Sequence, residues 1–368
     1  MDRLLANPAA RPLAREDLIT LLSLTAPEDV ARLRRAAFDL ATRSVGDEVY
    51  YRGIVEFSNE CARNCHYCGI RAGNREVARY CLSHEEVVDC ALWAAAMGYG
   101  SCVLQSGEKW DEDFVEFVEG CVREIKERSR GPELPDGLGV TLAVGEQTPE
   151  TYRRFRAAGA HRYLLRIETT NPDLFARLHP AAQRFEDRVA CLASLREAGF
   201  QVGTGVMIGL PGQTAADLAD DILFFRDQDV DMIGMGPYIV HDQSPMRGLG
   251  MMPHDELLSL ALNMIAVTRL ALPDVNIAAT TALQALAPDG RERGIACGAN
   301  VIMPNLTPQD ARRNYRLYEG KPCLDEGRDE CRVCLQQRVE TAGRTVARNA
   351  WGDSRRFLKR QRPPADRS

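Results

Sequence analysis

The 368 residues carry a formal charge of −6, with 45% hydrophobic and 27% charged residues. That is an ordinary globular balance, long enough for a barrel-sized core, and its acidic excess argues against general nucleic-acid binding. No apolar run has membrane-spanning length, and residues 1–15 (with Asp2, Arg3, Pro8, Arg11 and Arg15) lack a signal-peptide core, so the expected location is the cytoplasm.

Two helices come first. One covers 16–23, with Leu18, Leu21 and Leu22 on one side; the other covers 27–43, with Val30, Leu33, Ala37 and Leu40 at helical spacing. From residue 51 the chain alternates. Strands are expected at 52–58, 101–106, 139–144, 162–168, 202–208, 232–238, 276–280 and 300–303. Helices are expected between them at 83–97, 111–128, 149–158, 186–198, 214–227, 254–272 and 291–297. Several strands are apolar on both faces, as in a parallel sheet covered by helices. Eight such units point to an α/β fold of the (β/α)8 barrel type. The division reads as an N-terminal helical extension (1–50), the barrel (51–305) and a C-terminal extension (306–368). The tail from 351, rich in arginine and lysine, reads as mobile or weakly docked.

Twelve cysteines are many for a reduced intracellular protein, and a disulfide framework does not suit a chain of this size without an export signal. Cys81, Cys90, Cys102, Cys121, Cys191 and Cys297 are scattered, mostly in apolar segments, where a thiol serves as a small buried side chain. The other six form two groups. Cys61, Cys65 and Cys68 lie on a loop leaving the first strand. Structural zinc wants four ligands, often as two separated pairs, whereas His66 beside Cys65 is badly placed to complete a set. A [4Fe–4S] cluster takes one thiolate per iron, so three thiolates leave one iron open.

Active sites of barrel enzymes lie at the C-terminal ends of the strands. The second strand ends in Gln105-Ser106-Gly107-Glu108, a turn whose backbone can approach an ammonium closely. In the fourth, alternation puts Arg162, Leu164, Arg166 and Glu168 on the luminal face. Charges there are costly unless paired or used on a ligand, and arginine forks suit carboxylates. Arg188 opens the following helix region. Gly209-Leu210-Pro211-Gly212-Gln213-Thr214 follows the fifth strand, and His241 the sixth. Thr280 and Thr281 end the seventh and Met303-Pro304-Asn305 the eighth. Cys323, Cys331 and Cys334 then offer three more ligands, for a second iron–sulfur cluster or a zinc.

The Cys-x3-Cys-x2-Cys spacing, with Tyr67 before the last cysteine, resembles the radical S-adenosylmethionine (SAM) superfamily. Together with Leu104–Glu108, Arg162–Arg166, Glu168-Thr169, Gly209–Thr214, Ala279–Ala282, Cys297–Asn305 and Tyr315–Lys321, it resembles the [FeFe]-hydrogenase maturase HydE family. The resemblance implies a SAM-binding [4Fe–4S] cluster on Cys61, Cys65 and Cys68. It implies that Tyr67, Ser106, Glu108, Glu168 and Arg188 surround SAM. Thr141, Arg166, Thr280, Thr281, Met303 and Tyr318 would face the substrate. It also implies a second iron–sulfur cluster on Cys323, Cys331 and Cys334, as in some members. The expected activity is reductive cleavage of SAM in assembly of the hydrogenase diiron centre. The partners would be a small-molecule or organometallic, cysteine-derived substrate, an external electron donor and other hydrogenase maturases, without nucleic acid or membrane. The related alternative is a radical SAM enzyme acting on an amino acid, like methylornithine synthase.

Overall fold

A computed structural model describes residues 4–5 and 12–361, apart from the Cys331 side chain. Helices α1 (Arg15–Leu22) and α2 (Pro27–Val45) open it, followed by strand β1 (Glu48–Ser58). The alternation then runs α3 (His84–Ala96), β2 (Ser101–Ser106), α4 (Glu112–Arg128), β3 (Gly139–Ala143), α5 (Pro149–Ala158) and β4 (Arg162–Leu164). It continues through α6 (Pro172–Leu178), α7 (Phe185–Glu197), β5 (Gln201–Thr204), β6 (Met207–Ile208), α8 (Ala215–Asp227), β7 (Met232–Ile233) and β8 (Gly236–Pro237). The last elements are α9 (His254–Ala271), β9 (Asn276–Ile277), α10 (Thr281–Leu286), α11 (Gly290–Ala296), β10 (Val301–Ile302), α12 (Gln309–Arg312), α13 (Arg328–Thr341), β11 (Thr345–Ala347) and α14 (Arg355–Gln361).

The main sheet is parallel and ordered β10-β1-β2-β3-β4-β5-β7-β9. A parallel bridge between Ala278 and Val301 joins its two ends, so the sheet curls into a barrel. Apolar residues of both surfaces are buried. Tyr163 of β4 packs outward against Tyr152 and Phe200, at ring separations of 5.2 and 5.7 Å. Helices are capped as their sequences dictate: Ser83, Asp111 and Thr148 accept the N–H three residues on.

Two expected strands are interrupted. Residues 202–208 and 232–238 each divide at a glycine, Gly205 and Gly234. A Cβ on Gly205 would lie 2.0 Å from the Gly234 carbonyl oxygen, so the chains pass too closely for side chains there. Their upper halves pair separately as β6 and β8. The fourth strand ends at Leu164 rather than 168. Glu168 adopts a left-handed φ of 66°, and beyond Leu164 the chain rejoins its neighbour only through an isolated bridge from Glu168 to Val206.

The tail departs most from expectation. Strand β11 adds to β1 in parallel, and residues 351–354 enter the end of the barrel opposite the cysteine loop. Arg162, fully buried, pairs with Asp353 and donates to the Trp351 carbonyl (2.5 Å). Arg52 and Asn276 donate to the Gly352 carbonyl at 3.1 and 2.8 Å. Helix α14 is held by Arg356 and Lys359 on Asp274, and by Arg360 on Asp229 and Asp231. Arg356, Lys359 and Arg360 are therefore docked, because acids more than seventy positions earlier in the chain wait for them. Arg162 serves this plug rather than a substrate carboxylate.

Candidate active site

The cysteine loop is tied down through its backbone. Ala62 donates to the Glu108 carbonyl (2.8 Å), His66 to Leu178 (2.8 Å) and Gly69 to Leu317 (3.0 Å). Arg79 donates to the carbonyls of Asn59 (2.5 Å) and Ile70 (2.7 Å). His66 Nδ1 bonds the Arg177 carbonyl at 2.9 Å, which turns its ring to a structural task. Gly107 has no room for a side chain, since a Cβ would lie 2.2 Å from the Glu60 carbonyl oxygen and 2.7 Å from the Cys61 Cβ. The glycine of the small-small-Glu turn thus lets the second strand end meet the thiol loop.

Burial raises the pKa of all three thiols, that of Cys65 to about 12. Ligation would supply the positive charge such thiolates need. Glu108 N–H already donates to the Cys61 sulfur at 3.3 Å. Among the described residues, no three His, Cys, Asp or Glu side chains are placed to share one metal ion. Three thiols on one loop are a donor set that suits an iron–sulfur core, which takes one thiolate per iron.

Beside them lies a buried ionic network that sequence reading only partly anticipated. Arg63, from within the loop, reaches Glu108 at 2.5 Å and Glu146 at 2.6 Å. Arg188 reaches Glu146 at 2.5 Å and donates to the Arg166 carbonyl at 2.5 Å. Arg166 Nη2 lies 2.9 Å from Glu168 and 3.0 Å from the Val206 carbonyl. Burial opposes the Arg188 charge, but Glu146 and Glu108 outweigh it and hold its pKa above the ordinary value. Burial raises the Glu108 pKa against the pull of Arg188 and Arg63. Ser106 is buried at the head of the turn and donates to the Gly107 carbonyl at 2.6 Å. Tyr67 stands edge-on to His179, with ring centroids 5.7 Å apart. Arg63 and Glu146 were not singled out from the sequence. Glu146 ends the third strand's loop, and its position after β3 was the one available signal.

The expected substrate-facing residues divide by depth. Thr141 and Met303 line a small luminal cavity with Arg52, Leu164 and Met232, and the Thr141 hydroxyl is buried without a hydrogen-bond partner. Thr280 donates to the Met235 carbonyl at 3.2 Å, and Thr281 begins α10. Arg166 and Tyr318 stand higher. Burial, then Glu56, raises the Tyr318 pKa, and Arg166 acts against that rise. The strap of residues 315–321 is pinned by a buried pair not read from the sequence. Lys321 Nζ lies 2.6 Å from Glu56 and 2.8 Å from the Tyr315 carbonyl, and Asn305 donates to the other Glu56 oxygen at 3.0 Å.

The C-terminal thiols are engaged with arginines. Arg291 donates to Cys323 at 3.3 Å and Arg338 to Cys334 at 3.1 Å. The Cys331 side chain lies outside the described residues, so the trio's geometry is not part of the structure.

A three-thiol loop at the C-terminal mouth of a parallel barrel, with a charged network beside it, defines a radical SAM enzyme. Residues 55–225 match the model of the radical SAM superfamily. The [FeFe] hydrogenase maturase subunit HydE of Thermotoga maritima is 43% identical over 350 residues, covering 95% of this chain and 96% of the relative. The chain belongs to that maturase family. The 3-methylornithine synthase of Methanosarcina barkeri is 29% identical, covering 92% of this chain and 91% of its own length. In three dimensions, the crystal structure of methylornithine synthase (PylB) superposes with a TM-score of 0.79 at 25% identity, covering 94% of this chain and 98% of the other. The maturase HydG of Carboxydothermus hydrogenoformans shares the fold, with a TM-score of 0.77 at 19% identity over 94% of this chain and 77% of its own.

Proposed function

We propose that Cys61, Cys65 and Cys68 hold a [4Fe–4S] cluster and that SAM binds between this loop and the network of Glu108, Glu168 and Arg188. The observation that carries this reading is the meeting of three partly buried thiols with paired carboxylates and guanidiniums at one barrel mouth. When bound, the cluster supplies the electron, received from an external donor, that splits SAM into methionine and a 5′-deoxyadenosyl radical. The residues of the chain bind, orient and shield. Glu108 and the Ser106–Gly107 turn receive the SAM ammonium, and Arg188, held by Glu146, receives its carboxylate. Glu168 and Tyr67 border the rest of the molecule. Arg166, Thr280, Thr281 and Tyr318 position the substrate, with Met303 and Thr141 below. The strap 315–321 and the tail plug keep water and stray hydrogen donors out of the lumen.

The substrate is a small cysteine-derived species, organometallic in the maturation role, whose carboxylate suits Arg166. Cys323, Cys331 and Cys334 would bind a second iron–sulfur cluster that SAM cleavage does not require. The test is anaerobic reconstitution with iron, sulfide, SAM and reductant, then addition to inactive hydrogenase with the other maturases. We expect 5′-deoxyadenosine and hydrogenase activation, both lost in Cys65→Ala. Undiminished 5′-deoxyadenosine from reduced Cys65→Ala would refute the cluster assignment. The close superposition on PylB keeps a second reading, chemistry on an amino acid. 5′-Deoxyadenosine without hydrogenase activation would favour it.

A further inference from the structure

Gln183 lies in the segment between α6 and α7 and is 4% exposed. Its side-chain Oε1 sits 3.5 Å from the Cys65 sulfur, where the free thiol donates to it. Its side-chain nitrogen is buried without a hydrogen-bond partner. A buried amide nitrogen left unpaired is costly, so an amide in this state is waiting for an acceptor. The backbone of the residue is fixed by its N–H on the Pro180 carbonyl, at 2.8 Å, so the amide is aimed rather than loosely placed. Once Cys65 becomes a thiolate ligand it has no proton to give and can only accept. A half-turn of the amide about its last torsion then exchanges oxygen for nitrogen against the sulfur, a change that leaves the heavy-atom positions almost unaltered.

We infer that Gln183 donates an N–H···Sγ hydrogen bond to the cluster-bound Cys65 and so sets the reduction potential of the cluster, as a positioning and tuning residue rather than a catalytic one. The inference rests on the proposed cluster assignment. A donor on a ligating sulfur offsets part of the negative charge gained on reduction, and so raises the potential. The Glu108 N–H on Cys61 is the backbone counterpart, but only proline would remove it, at the cost of the Glu108 side chain, whereas the Gln183 amide can be removed alone.

The test uses full-length, reconstituted protein. Gln183→Leu removes the donor, and Gln183→Met removes it with a flexible side chain of similar length. EPR-monitored redox titration should show both variants harder to reduce, by about tenfold in the one-electron equilibrium, or about 59 mV. Wild-type protein carrying side-chain ¹⁵N-glutamine should show weak ¹⁵N coupling to the reduced cluster, lost in Gln183→Leu, a signature that a merely structural role would not produce. This wild-type spectrum does not depend on either variant folding. Unchanged potentials in variants with full iron content, or absence of the coupling in wild type, would overturn the inference while leaving the cluster assignment intact. Failure of the wild-type protein to assemble a cluster would instead overturn the reading on which it rests.

Discussion

The pair Lys321–Glu56 offers the sharpest test of how the barrel mouth is held. The two groups are 2.6 Å apart and 6% and 5% exposed. Lys321→Met removes the ammonium but keeps much of the stem's apolar contact. Glu56 would then keep only Asn305, at 3.0 Å, in a place that water barely reaches. Breaking a buried pair in this way costs about 3–5 kcal/mol, most of it the desolvation of the stranded charge. Replacing both members with neutral groups removes that term, so Glu56→Gln/Lys321→Met should recover about 2 kcal/mol or more relative to the single variant. The Tyr315 carbonyl loses its ammonium in both cases, so recovery stays incomplete. Urea unfolding under anaerobic conditions, followed by far-UV circular dichroism, measures both numbers. Because the same strap carries Tyr318, the single variant should also weaken substrate binding more than SAM binding. A single variant within about 1 kcal/mol of wild type would refute the reasoning, since it would place the pair among solvent-screened bridges. A double variant no more stable than the single would refute it equally.

Glu146→Gln should weaken SAM binding about 10–100-fold, the loss of roughly 1.5–3 kcal/mol for a charge-assisted bond at Arg188, measured by equilibrium dialysis on the reconstituted protein. Gly107→Ala forces the cysteine loop away from its turn and should destabilise the protein by about 1–3 kcal/mol while lowering SAM affinity; wild-type affinity would show that the turn does not touch the ligand. Burial beside Arg162 holds the His161 pKa at about 3, with Asp353 opposing that shift and Lys126 adding to it. The unfolded chain therefore binds a proton that the folded one refuses, and stability falls as pH drops from about 6.5 toward 3. His161→Phe should flatten that slope in denaturation midpoints at pH 5 and pH 8, and an unchanged slope would count against it. Cys323→Ala/Cys334→Ala should leave 5′-deoxyadenosine formation intact, because Arg291 and Arg338 engage these sulfurs apart from the mouth thiols.

The barrel was legible because its signals are local. Apolar runs alternate with helical periodicity, and several helices carry their own cap (Ser83, Asp111, Thr148, Asn171 and Thr214), so order and approximate bounds follow from short windows. The thiol loop was legible for the same reason, since its spacing is the chemistry. What escaped depends on contacts between distant residues. Alternation placed Arg162 and Arg166 on one face but carries no depth along the barrel axis, so it could not show that one meets the tail and the other the mouth. Lys321 and Glu56 are separated by 265 positions, and nothing near either marks it as half of a pair. The tail's arginines looked like solvated charge because their acids, Asp229, Asp231 and Asp274, belong to loops of the opposite half. Gln183 carries no local signal at all, because its neighbour, Cys65, lies 118 positions away in the chain.

The plug also imposes an order on the making of the protein. Arg52 donates to the carbonyl of a residue 300 positions later, and β1 shares a ladder with β11. A chain emerging from the ribosome presents its first strand long before either partner exists, and such long-range pairings form slowly. Until residue 353 is free, Arg162 has no counter-ion in a site that the finished fold leaves 0% exposed. The base of the barrel is therefore completed only when residues 351–354 reach Arg52, Arg162 and Asn276.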